Sequence, residues 1–217
     1  MKKIFFLLLL TSSYGKAQDT PVPLPQNYEI IDQTEGDLDR DGIAELAIIL
    51  NTTDSSENGL VREIRIFKSS GETHKWILWK KSTDVLMASD EGGMMGDPYQ
   101  ETTIKNNVLT IHHSGSSSWK WDNTDRYRFQ NNEFELIGYT TEYGKPCEYF
   151  TSFDFNLSTG KIVYEKNYET CDEDGNETTS KTETETFVKK GIKLNFNNRR
   201  NTEIKIVAPK YNEEFYL

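Results

Sequence analysis

Four carboxylates fall within nine residues of one another in the segment Gly36-Asp37-Leu38-Asp39-Arg40-Asp41-Gly42-Ile43-Ala44-Glu45-Leu46. Asp37, Asp39 and Asp41 stand at alternating positions, and Gly42, directly after the third, lets the chain turn sharply. Oxygen ligands at this spacing converge on one hard cation, with the Ile43 carbonyl and Glu45 filling the next two places. Folded into a tight turn without a cation, the same carboxylates would repel one another. The pattern therefore leads us to expect a calcium site made by Asp37, Asp39, Asp41, Ile43 and Glu45. Magnesium, with its smaller octahedral shell and its retained waters, fits the spacing less well.

Other residues offer weaker chemistry. His112 and His113 are adjacent on a strand pattern and so point to opposite faces, a poor geometry for joint chelation, and His74 is the one other histidine. The cluster Ser114-Gly115-Ser116-Ser117-Ser118 lacks the Gly-x-Ser-x-Gly elbow of a nucleophilic serine and reads as a loop. Trp119 and Trp121 share a strand face and could stack on sugar rings. If the strand runs on without a bulge, however, they lie on the face of Tyr127 and Phe129, and burial in the core is favoured. Residues 90–98, a glycine-rich loop carrying Met94 and Met95, read either as a binding segment or as a plain surface connection.

The elements that must hold these residues are strands. Ile43 to Leu50 is an apolar run suited to a strand buried on both faces, Val61 to Lys68 alternates, and Trp76 to Trp79 forms a third. With Asn106-Asn107 as a two-residue turn, Ile104 falls opposite Leu109 and Thr102 opposite Ile111. With Asn131-Asn132 as the next, Phe129 meets Phe134 and Tyr127 meets Leu136, while Arg128 meets Glu135 on the other face. A third hairpin turns at Ser158-Thr159-Gly160-Lys161, where face matching puts Leu157 opposite Ile162 and Phe155 opposite Tyr164. A fourth turns at Asp174-Gly175 into Thr178 to Thr186, which is polar on both faces and reads as an edge strand. No amphipathic helix of convincing length appears. The fold class expected is all-β, mostly antiparallel, of sequential hairpins, arranged as a sandwich or a propeller fragment.

The 217-residue chain divides into a signal peptide at 1–17, a proline-rich linker at 18–26 and one β domain at 27–217 with the acidic loop at 36–46. Lys2-Lys3, the apolar run Ile4 to Leu10 and the small residues before Gln18 carry the first of these assignments. Ser13 stands where a lipid-anchored protein would need cysteine, so release into the periplasm or beyond is expected rather than anchoring. The apolar run is too short to span a bilayer. In an oxidising compartment the only two cysteines, Cys147 and Cys171, are expected to pair, with a one-residue bulge bringing them level across the third hairpin. Formal charge is −10 for the whole chain, from 25 basic against 35 acidic residues, which disfavours nucleic acid as a partner.

The acidic loop is not a complete EF-hand, because Ile48 occupies the twelfth position and a strand follows in place of a helix. It resembles the calcium loop of FG-GAP and VCBS-type repeats, in which the acidic turn leads straight into a strand; Glu45 stands where those loops more usually carry aspartate. Together with Gly96-Asp97-Pro98 and the hairpins at 104–111 and 127–138, the chain resembles a set of uncharacterised bacterial secreted proteins and lipoproteins with one such loop. That resemblance implies no activity. The function expected is a secreted, calcium-stabilised β module with a non-catalytic binding or structural role toward a protein or polysaccharide. The alternatives are an extracytoplasmic hydrolase using the calcium or the 90–98 loop, and an acidic inhibitor or immunity-type protein.

Overall fold

Asparagine pairs, glycines and short polar turns interrupt runs whose apolar residues recur every second position, and each run becomes a strand paired with the next. The computed structural model describes residues 22, 24–70 and 75–217. Residues 1–17, read above as a signal peptide, lie outside the described residues, as do several of the linker and His74. Among the described residues there are thirteen strands and no helix.

The first sheet runs in the order β1 (Glu29–Gly36), β2 (Glu45–Ser56), β3 (Gly59–Ser69) and β4 (Trp76–Ser82). The second contains β5 (Tyr99–Lys105), β6 (Val108–Ser116), β7 (Lys120–Gln130), β8 (Glu133–Lys145), β9 (Tyr149–Asn156), β10 (Lys161–Cys171) and β11 (Glu177–Val188), again in sequence order. A C-terminal hairpin of β12 (Lys205–Val207) and β13 (Glu214–Tyr216) makes a third. All strand pairs within the sheets are antiparallel. Of the two architectures expected, the packing corresponds to the sandwich. Ile49, Ile64 and Ile66 of the first sheet share one core with Leu109, Ile111, Tyr127, Phe153 and Ile162 of the second, and Phe215 of the hairpin joins them. Burying each such side chain is worth about 1.5–3 kcal/mol.

β2 is buried on both faces from Glu45 to Thr52, as its uninterrupted apolar run requires, and is exposed beyond. Ala47 and Ile49 face the main core, while Leu46, Ile48 and Leu50 pack with Phe67 and Val22 on the outer side. The Asn106-Asn107 and Asn131-Asn132 turns have φ between 51° and 63°, the left-handed geometry that matches strand twist. Both registers follow: Ile104 pairs Leu109 and Thr102 pairs Ile111; Phe129 pairs Phe134, Tyr127 pairs Leu136 and Arg128 pairs Glu135.

The third hairpin differs from expectation by two residues. Ile162 pairs Phe155 and Tyr164 pairs Phe153, so the faces are as expected but Leu157 belongs to the loop. Asn156 is the reason: its carbonyl accepts the Gly160 N–H at 2.8 Å and its Oδ1 accepts the Thr159 N–H at 2.9 Å, which fixes a four-residue turn with Gly160 at φ 79°. The Cys147–Cys171 disulfide is present with Cα atoms 5.1 Å apart. Cys147 sits in the β8–β9 turn at φ 66°, and this left-handed residue, rather than a bulge within the hairpin, brings it level with the end of β10. β11 is the edge strand of the second sheet, as its two polar faces imply.

Candidate functional site

The acidic loop fills the gap between the end of β1 at Gly36 and the start of β2 at Glu45. Leu38 points into the main core and is 1% exposed, which pins the loop by one apolar side chain while its neighbours face outward. Arg40 and Gly42 take φ of 71° and 84°, curling the backbone back on itself. Asp37 accepts the Arg40 N–H at 2.6 Å and the Gly42 N–H at 3.1 Å. Asp39 accepts the Asp41 N–H at 3.3 Å, Asp41 accepts the Ile43 N–H at 2.7 Å, and Asn107 donates to the Asp37 carbonyl at 2.8 Å.

Three of the expected ligands come together. One carboxylate oxygen each from Asp37, Asp39 and Glu45 lies within 4.8 Å of the other two. Asp41 is not among the three and is engaged with the backbone of Ile43, whose side chain is 47% exposed. Glu45 is buried, and its Oε2 accepts the Leu38 N–H at 2.7 Å. Burial pushes the Glu45 carboxyl pKa up, the Asp39 and Asp41 charges push the same way, and the Leu38 hydrogen bond and Lys68 only partly oppose them.

Lys68 of β3 is the participant that spacing did not reveal. Its ammonium pairs with Asp39, lies 3.9 Å from Glu45 and sits 4.3 Å from the centre of the Trp79 ring. Burial disfavours the charged lysine, but the bond to Asp39 and the charges of Asp39 and Glu45 outweigh it and hold its pKa above the ordinary value. The signal was the β2–β3 register: Leu46 pairs Phe67, so the next position sets Lys68 beside Glu45. Three carboxylate oxygens in a triangle are hard donors of the kind a divalent cation takes, and Lys68 supplies one positive charge to the same cluster through Asp39.

The remaining candidates separate. His112 and His113 do point apart: His112 Nε2 is 2.5 Å from Asp122, while His113 is buried and accepts the Met87 N–H at 3.3 Å. Burial first, then the charges of Arg200 and Arg62, push the His113 pKa down to about 3. Asp125 holds buried Arg199 through two hydrogen bonds of 2.9 and 3.1 Å and accepts the Tyr127 hydroxyl at 3.0 Å, a closed network inside the core. Trp119 and Trp121 are half-buried rather than part of the core. Trp119 stacks on Tyr143 with ring centres 5.1 Å apart, and Trp121 lines a cleft of about 300 Å³ with Met95, Asp122 and Glu142.

The 90–98 loop is tied at both ends. Glu91 pairs with Arg200 at 3.1 Å, and Asp97 meets the fully buried guanidinium of Arg62 at 2.7 Å. Between these anchors Met94 and Met95 are 87% and 61% exposed. Among the described residues no helix is long and apolar enough to cross a membrane. No known family model, curated protein or solved structure matches this chain.

Proposed function

We propose that the protein is an exported, non-catalytic binding module in which the 36–46 loop takes one calcium ion that fastens β1 and β2 to the core. The observation carrying this reading is the convergence of Asp37, Asp39 and Glu45 at the base of β2, beside a loop residue, Leu38, that is itself part of the core. Lys68 counters part of the carboxylate charge, and a cation there would relieve the repulsion that is left and offset the cost of burying Glu45. Calcium would work as architecture, since the three carboxylates are tied to the loop backbone and to Lys68 and stand apart from the clefts lined by Trp121 and by the C-terminal hairpin.

The non-catalytic half of the proposal rests on ionisable groups outside the acidic loop. His113 and Tyr127 are displaced first by burial, and Asp125 holds the Arg199 guanidinium charged against the cost of its burial. Met94, Met95, Tyr143 and Tyr216 are among the exposed large side chains, and such side chains suit binding.

The test is thermal unfolding of the chain without residues 1–17, in calcium and in chelator. Ion binding to the folded form alone stabilises by about 3 kcal/mol at a hundredfold excess over Kd, a rise in Tm of roughly 6–12 °C for a chain of this size. Asp39→Ala should abolish most of that rise while leaving the β-sheet circular dichroism intact. Equal melting temperatures in calcium and chelator, with no heat of binding at millimolar calcium, would make the loop a solvated acidic turn.

A further inference from the structure

The core thins toward the disulfide end of the second sheet. Along β9 the inward side chains pass from buried Phe155, Phe153 and Thr151 to half-exposed Tyr149; along β8 they pass from buried Tyr139 to Tyr143, 44% exposed. The C-terminal hairpin docks beside this region through Phe215, whose ring stacks on Phe153 at 4.0 Å. Between the hairpin and the sheet is a cleft of about 310 Å³, within the range of small-ligand sites.

We propose that this cleft binds a neutral pyranose ring of a polysaccharide, with Tyr143, Tyr149 and Tyr216 as its apolar contacts and Thr151, Glu213 and Glu214 as its hydrogen-bonding groups. The assignment rests on the binding-module reading above, but not on the calcium ion. A pyranose presents C–H faces, which pack on aromatic rings, and a girdle of hydroxyls that both donate and accept. The cleft has matching parts. Tyr143 and Tyr216 are 44% and 48% exposed, large apolar surfaces left in water at its mouth. Glu213 is held by Lys166 at 2.6 Å, and Glu214 by Lys205 at 2.6 Å and the Tyr216 hydroxyl at 3.1 Å. The carboxylates are thus fixed acceptors with lone pairs to spare for ligand hydroxyls. They also oppose an anionic or purely apolar ligand, neither of which gains from two carboxylates at its edge.

The observation that asks for a ligand is Thr151. It is 8% exposed, it lines the cleft, and its Oγ1 has no hydrogen-bond partner among the described residues. A buried hydroxyl left unpaired destabilises the folded state, and a sugar hydroxyl bonded to it would remove that cost.

The test uses the chain without residues 1–17 in native gels cast with barley β-glucan, xylan, glucomannan or soluble starch, followed by calorimetry with the oligosaccharide of whichever polymer retards it. Retardation in at least one gel is expected. Tyr143→Ala and Tyr216→Ala should each weaken binding by about tenfold, Tyr216→Ala at unchanged Tm and Tyr143→Ala with a small fall in Tm from the loss of its stack on Trp119. Thr151→Val keeps the shape and removes the orphan hydroxyl, so it should weaken binding by about fivefold without lowering Tm. Met94→Ser, in the 90–98 loop, should bind as wild type does. Normal mobility in all four gels, or retardation unchanged by both tyrosine variants, overturns the assignment. If calcium still raises Tm in a protein that no gel retards, the saccharide site fails alone; retardation without any calcium effect sinks only the calcium fastener.

Discussion

Spacing alone brought Asp37, Asp39 and Glu45 to notice, because ligand geometry in a tight loop is a local property of the chain. Lys68 escaped that reading. It lies 23 positions beyond Glu45 and reaches the cluster only through the pairing of β2 with β3. His113 shows the same limit from the other side: adjacency on a strand sets His112 and His113 on opposite faces, but the arginines around His113 come from β3 and the C-terminal segment. Its titration makes a prediction. The folded-state pKa, about 3, lies below the ordinary value, so the stability contributed by neutral His113 is complete above about pH 6.5 and is lost as pH falls toward 3. Urea denaturation at pH 7, 5.5 and 4 should show stability declining with a His113 component of up to about 1.4 kcal/mol per pH unit. His113→Gln, which can still accept the Met87 N–H, should flatten that component; an unchanged pH slope would show that other groups carry it.

At the scale of elements, the two asparagine-pair hairpins were legible because turn chemistry and both faces of each strand agreed. The third is legible only to within two residues, since Leu157 has the character of a strand residue and the four-residue turn capped by Asn156 has no signal in the alternation of faces. Parity survives such a shift, which is why the buried face is the one expected. The disulfide is also an element-scale device, joining the β8–β9 turn to the far end of β10 across 24 residues. A loop of that length is worth about 3 kcal/mol in the chain-entropy model. Replacing both cysteines with serine should cost about that much in chemical denaturation. Amide exchange should accelerate mainly at Tyr168 to Thr179, the open end of the β10–β11 ribbon, and little in β7 and β8; uniform acceleration across the sheet would show a global effect instead.

The whole molecule depends on contacts that no single hairpin contains. The all-β class follows from strand patterns, but the stacking of one sheet on the other, and the return of the C-terminal hairpin onto β9 and β10, join segments far apart in sequence. Phe215 carries that return, stacking on Phe153 and meeting Tyr164 edge-on at 5.6 Å. Phe215→Ala should therefore cost about 3–5 kcal/mol in urea denaturation, whereas a loss below about 1 kcal/mol would mean that the hairpin is held by its rim of ion pairs. Within each sheet, by contrast, every strand lies beside its neighbour in sequence. Such an order keeps loop-closure entropy small at each addition, which favours rapid assembly. A chain emerging from any narrow channel, N-terminus first, could zip each new strand onto the one before it as soon as the connecting turn was free. Only the last step, closing one sheet over the other, would have to wait for distant residues.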